Sequence, residues 1–151
     1  MLVALFEPEI PQNTGNIIRL CANVGLSLDV VKPLGFTLND KHLKRAGLDY
    51  HDRVTIFQHA DAESFYAHHA DRRVIAFSTK ATHYYHHFQF METDVLLFGP
   101  ESRGLDQHTL SRCDATLRLP MQPVSRSLNL ANTVSIVVYE ALRQCDFRGL
   151  V

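Results

Sequence analysis

Tryptophan is absent from the 151 residues, and cysteine occurs only three times, at Cys21, Cys113 and Cys145, without CxxC spacing. An odd, scattered set of thiols argues against a disulfide framework or a zinc ribbon and fits a reducing compartment. Neither sign of charge prevails: 15 Lys and Arg stand against 16 Asp and Glu, a formal net charge of −1. That excludes a globally basic nucleic-acid coat but leaves room for a local basic patch. No apolar run approaches the ~20 residues of a membrane span. The opening Leu2-Val3-Ala4-Leu5-Phe6 meets Glu7 and Pro8, with no basic stretch of a signal sequence before it. The expectation is a cytoplasmic protein that does not engage a membrane. The nucleotide fingerprint GxGxxG is missing, as is the phosphate-loop pattern GxxxxGK followed by Ser or Thr. A standard dinucleotide site or phosphate-cradling loop therefore has no support.

What is present is an ordinary globular composition, 46% apolar and 21% charged, at the length of a single domain spanning 1–151. Short apolar runs alternate with helical periodicity. Strands are expected at residues 2–6, 28–31, 54–58, 73–78, 94–98 and 115–119. Helices are expected at 13–24, 39–46, 62–69, 106–112 and 127–145. In the first helix Ile17, Leu20, Cys21 and Val24 share a face, and Gly25 stops it. In the last, Leu130, Val134, Val137, Val138 and Ala141 form the stripe, with Ser127 as the expected N-cap. This alternation predicts an α/β fold with a mostly parallel sheet flanked by helices.

Ligands of such sheets sit beyond the carboxyl ends of the strands, and three strand ends carry unusual sequence. They are Phe77-Ser78-Thr79-Lys80, Phe98-Gly99-Pro100-Glu101-Ser102-Arg103-Gly104, and Leu119-Pro120-Met121 running on to Ser125-Arg126-Ser127-Leu128-Asn129. Gly99 and Gly104 permit close backbone approach or positive φ, as a ligand-facing turn requires. On the first helix Asn16, Arg19 and Asn23 form a polar row opposite the apolar face, and the last helix opens with Ser127, Asn129, Asn132 and Ser135.

In this order these segments resemble the three motif regions of the SPOUT superfamily of RNA methyltransferases. The first is Pro11-Gln12-Asn13-Thr14-Gly15-Asn16-Ile17-Ile18-Arg19, the second Leu97 to Leu105, and the third Ser127 to Ser135 with Tyr139-Glu140. Glu7-Pro8-Glu9-Ile10-Pro11, Lys32-Pro33-Leu34-Gly35-Phe36 and Arg45-Ala46-Gly47-Leu48-Asp49-Tyr50-His51 look like the TrmL (YibK) family of tRNA wobble-nucleotide 2′-O-methyltransferases. The resemblance runs over essentially the whole chain. It implies a SPOUT fold with a deep C-terminal trefoil knot, a homodimer, S-adenosylmethionine as methyl donor and a tRNA-Leu anticodon loop as acceptor. A sibling acting on another tRNA or rRNA site, or a noncatalytic RNA-binding SPOUT protein, is the alternative.

Carried over by residue, the resemblance puts Phe77, Ser78, Thr79, Gly99, Glu101, Gly104, Leu119, Met121, Ser127, Leu128 and Asn129 at the cofactor. Aromatic Phe77 stands where a smaller apolar residue is common, a change that a backbone contact tolerates. Arg19, with Asn16, is the candidate catalytic group. Since a guanidinium stays protonated, Arg19 is expected to clamp ribose and phosphate rather than to act as a base. Lys44, Arg45, Tyr50, His51 and Arg126 are the candidate RNA contacts; the local basic sets are Lys41, Lys44 and Arg45 and, elsewhere, Arg126 with Arg103. His83, His86 and His87, with His68 and His69, match no ordinary zinc spacing, and no metal is expected. Cys21 and Cys145 are expected to be packing residues.

Overall fold

The computed structural model describes residues 1–37 and 53–151. The expected helix at 39–46 and the candidate RNA contacts Lys41, Lys44, Arg45, Tyr50 and His51 lie outside the described residues.

Among the described residues seven strands form one sheet: β1 (Leu2–Phe6), β2 (Ser27–Val31), β3 (Ile56–His59), β4 (Val74–Phe77), β5 (His83–Tyr84), β6 (Val95–Phe98) and β7 (Ala115–Arg118). Their order is β3-β2-β1-β6-β4-β7-β5, and every pairing is parallel. The helices are α1 (Pro11–Val24), α2 (Ala62–His68), α3 (Gln107–Ser111) and α4 (Leu130–Gln144), and a 3-10 turn occupies Tyr85–His87.

The central strands β1, β4 and β6 are buried along their whole length, as continuous apolar runs between two helical layers should be. Alternation divides β1 between the layers. Val3 and Leu5 join Ile17, Ile18, Cys21, Val134, Val137, Val138 and Ala141 under α1 and α4. Leu2, Ala4 and Phe6 join Phe65, Val74, Ala76, Val95, Leu97 and Leu105 on the opposite face. At the amino edge the Arg73 guanidinium grips the buried Asp94 carboxylate through two bonds of 2.8 Å, tying β4 to β6.

Helix α1 begins at Pro11, earlier than expected at 13, because proline fits the first helical turn. It ends at Gly25, whose φ of 68° gives the left-handed cap. For α4 the N-cap is Asn129 rather than Ser127: its side chain accepts the Asn132 N–H, and the helix starts at Leu130. Strand β3 starts at Ile56 instead of 54, where pairing with Leu28 begins. The two-residue β5 is unanticipated; it extends the sheet edge beside β7. Leu20 and Leu130 are only half-buried, while Ile18, Ala131 and Leu142 complete the helix faces.

Candidate active site

Beyond the carboxyl ends of β4, β6 and β7 lies a cavity of about 530 Å³. Its walls are the three strand-end segments singled out above. Phe77, Ser78 and Thr79 form one side, Gly99, Glu101 and Gly104 another, and Leu119, Met121, Ser127, Leu128 and Asn129 the third. Arg126, a candidate RNA contact, borders it too. The rings of Phe77 and Phe98 stack at 4.7 Å and 11°, giving the cavity an apolar aromatic wall.

The middle segment is tightly folded. A Cβ on Gly99 would lie 2.5 Å from the Leu105 nitrogen and 2.8 Å from the Gly104 carbonyl carbon, so no other residue fits without moving backbone. The turn is closed by the Gly104 N–H on the Pro100 carbonyl at 2.9 Å, with Gly104 at φ 68°. The cavity thus presents main chain where side chains would otherwise intrude.

A hydrogen-bond network beside the cavity joins the three motif regions. The Glu101 carboxylate accepts from the Glu9 N–H at 2.8 Å, the Ile10 N–H at 3.2 Å and the Asn13 side-chain amide at 3.1 Å. Asn13 in turn accepts from the Asn129 amide at 2.9 Å. Helix α1 has no side-chain cap of its own; Glu101 brings an anion to that helix start instead, where the helix dipole favours it. Glu9 reciprocates, taking the Ser102 N–H at 2.9 Å and hydroxyl at 2.7 Å. These bonds hold the Glu9 carboxyl below its ordinary range. Arg103 pairs with Glu7, which sits at the strained φ of 48°. The motif reading placed Glu101 beside the cofactor. It does border the cavity, but both carboxylate oxygens are already engaged with the segment leading into α1.

Asn16 and Arg19 are exposed on α1 and are not among the residues lining this cavity. Cys21 is fully buried and its thiol is pushed up to about 12 by desolvation, which suits packing and not nucleophilic chemistry. Cys145 caps the end of α4, half-buried.

A second polar cluster escaped the sequence reading. Asp29, in the middle of β2, places one carboxylate oxygen 2.6 Å from His59 Nε2 and 2.7 Å from His69 Nε2, all three residues buried. The donor types are those of a metal site. The spacing is that of hydrogen bonds, and His69 Nδ1 is buried without the outer partner that a metal-bound imidazole ordinarily has. The cluster is therefore read as a hydrogen-bonded triad. The signal for it was an aspartate inside the apolar run Leu28-Asp29-Val30-Val31. His83, His86 and His87 are exposed, and His68 stacks on Phe57 at 4.8 Å.

Fold and cavity together define an α/β protein with a candidate ligand site at the carboxyl edge of a parallel sheet. Residues 1–139 match the SpoU rRNA Methylase family. The tRNA (cytidine(34)-2'-O)-methyltransferase of Saccharophagus degradans is 51% identical over 149 residues, covering 97% of each chain. A solved structure from work on the 2-OH methylation of C/U34 on tRNA superposes with a TM-score of 0.93 at 45% identity, covering 97% of this chain and 96% of its own. An AdoMet-bound rRNA methyltransferase from Sinorhizobium meliloti gives a TM-score of 0.87 at 27% identity, over 94% of this chain and 55% of its own. The chain belongs to the SpoU methylase family of RNA methyltransferases.

Proposed function

We propose that this chain is a tRNA 2′-O-ribose methyltransferase that uses S-adenosylmethionine to modify cytidine or uridine 34, the wobble nucleotide, of tRNA-Leu. The observation that carries this reading is the end-to-end identity of about half with a cytidine-34 enzyme. The cavity supports it. Its volume of about 530 Å³ falls within the roughly 300–1,000 Å³ of small-molecule sites. The Gly99 turn offers main-chain donors and acceptors to an adenosine, with Phe77 and Leu119 as apolar walls. Glu101 acts indirectly, by fixing α1 and the Gly99 turn to each other.

When bound, S-adenosylmethionine supplies a methyl group already activated by its sulfonium charge. The chain's own task is alignment, which is worth roughly 7–11 kcal/mol when geometry is near attack, and help in removing the 2′-hydroxyl proton. Arg19 clamps the ribose and its phosphate and lowers the hydroxyl's pKa; a phosphate or water takes the proton. Because Arg19 does not line the cavity of its own chain, we assign it to the cavity of a second copy. The homodimer is formed through α1 and α4, which pack together: α4 exposes Ile136 and Tyr139 by 41% and 50%, and α1 exposes Asn16 and Arg19. Arg126 at the cavity and Lys44, Arg45, Tyr50 and His51 supply RNA contacts. The chain works as a single cytoplasmic domain, with a deep trefoil knot near the C-terminus, and needs no metal.

Calorimetry on the full chain tests the class. Saturable binding of S-adenosylmethionine is expected, and no binding at millimolar ligand would leave a noncatalytic RNA-binding protein. Arg19→Lys should lower kcat at least tenfold while cofactor affinity holds; near-wild-type turnover would end the clamp.

A further inference from the structure

Strand β5 and the turn after it carry a concentration of rings that the first cavity does not use. Tyr84 is 41% exposed, and the His86 ring stacks with it at 5.6 Å and 27°. Tyr84, His83 and His87 border a second cavity of about 680 Å³. Lys80 lines both cavities, so the two adjoin. Arg118, a wall of the first, holds its guanidinium 5.7 Å from the Tyr84 ring centroid. Its Nε is buried without a hydrogen-bond partner, and its Nη1 makes a long 3.4 Å contact to the Ala81 carbonyl.

We propose that the second cavity holds a nucleotide of the substrate RNA flanking the one that is methylated. Its base lies against Tyr84 and His87, which both border that cavity, and its phosphate against Lys80, where the two cavities adjoin and Arg118 borders the first. The proposal rests on the RNA-methyltransferase reading and names a subsite for it. The physical argument is complementarity. Bases of a single-stranded loop are splayed out and offer π-faces, which stack on aromatic and histidine rings. Phosphates seek cations, and a chain of net charge −1 must gather its cations where RNA meets it. A guanidinium with an unmet buried donor beside an exposed ring is a costly arrangement in the free protein, and a bound phosphate would satisfy it. Gln107 lines the same cavity and can pair with a base edge. Asp114, the acidic group of the lining, has one oxygen committed to the Val74 N–H at 2.8 Å. Core packing does not explain the rings, because β5 is two residues long, lies at the sheet edge and is exposed at both positions.

The test is steady-state methylation of a tRNA-Leu anticodon stem-loop by the full chain. Tyr84→Ala should raise KM for the RNA about tenfold, the scale of one lost base stack, with kcat little changed. Tyr84→Phe, which keeps the π-face, should match wild type, and calorimetry should give both variants the wild-type affinity for S-adenosylmethionine. A Tyr84→Ala enzyme with unchanged KM, or a Tyr84→Phe enzyme as impaired as Tyr84→Ala, overturns the subsite while the methyltransferase assignment survives. A wild type that binds no S-adenosylmethionine fails the broader reading first. Should Tyr84→Ala not fold, photocrosslinking of a 4-thiouridine-substituted stem-loop to the wild type decides. Crosslinks within residues 80–87 support the subsite, and crosslinks confined elsewhere overturn it.

Discussion

Glu101 spends its charge on three donors from the entrance to α1, and that makes it the residue on which the cavity's shape depends most. Glu101→Gln offers those donors one oxygen instead of two and adds an amide that must face them. It should cost about 1 kcal/mol of stability, the scale of a weakened hydrogen-bond set at a half-buried site, read from urea denaturation, and should weaken S-adenosylmethionine binding in parallel. His69 provides a pH signature. Burial lowers its pKa from the ordinary 6.5, so just below that value the unfolded chain binds more protons than the folded one. Stability is therefore complete above about pH 6.5 and falls as the solution is acidified towards the folded pKa. The urea midpoint should drop as pH is lowered below about 6.5, and His69→Gln should flatten the decline; an equal slope in both would contradict the assignment. Asp29 was visible as an odd residue in an apolar strand. Its partners stand 30 and 40 residues away, a separation no local pattern encodes.

Elements were legible where a periodic apolar face met a strong stop signal. Gly25 marked the end of α1 and the stripe from Val134 to Ala141 marked α4, because burial and backbone freedom leave local traces. Helix starts were less legible. Ser127 and Asn129 are both good caps by type, and the choice falls to Asn129 because it also reaches Asn13 in α1, a tertiary fact. The entrance of α1 shows the same thing: its cap comes from Glu101, about ninety residues on. β5 was missed since two residues carry no periodicity. The glycines allow a graded test. Gly25→Ala meets nothing within 4 Å but keeps φ 68°, so it should cost about 1 kcal/mol and leave cofactor binding intact. Gly99→Ala drives a Cβ into the main chain at 2.5 Å and should cost about 1–3 kcal/mol together with most cofactor affinity, read by thermal unfolding and calorimetry. Equal effects of the two would show that the Gly99 turn is not ligand-facing.

At the scale of the molecule, a parallel sheet brings the ends of successive strands to one edge, which is why segments around residues 77, 99 and 119 meet in a single cavity. Their convergence was foreseeable once a parallel sheet was expected. The strand order that places β4 between β6 and β7 was not, because order depends on how crossovers pack. Arg19 is absent from the cavity lining, and the proposed dimer accounts for this by completing the site from a second copy. Sedimentation should show a dimer at micromolar concentration, and Tyr139→Glu on the exposed α4 face should shift it towards monomer with loss of methylation. A fully active monomer would separate the site from the dimer. The central claim is most directly tested by mass spectrometry of tRNA-Leu anticodon fragments after incubation with the purified chain and S-adenosylmethionine. A mass increase of one methyl group on the ribose of nucleotide 34 is the predicted result. An unmodified wobble ribose, or a methyl group placed only elsewhere in the RNA, would contradict it.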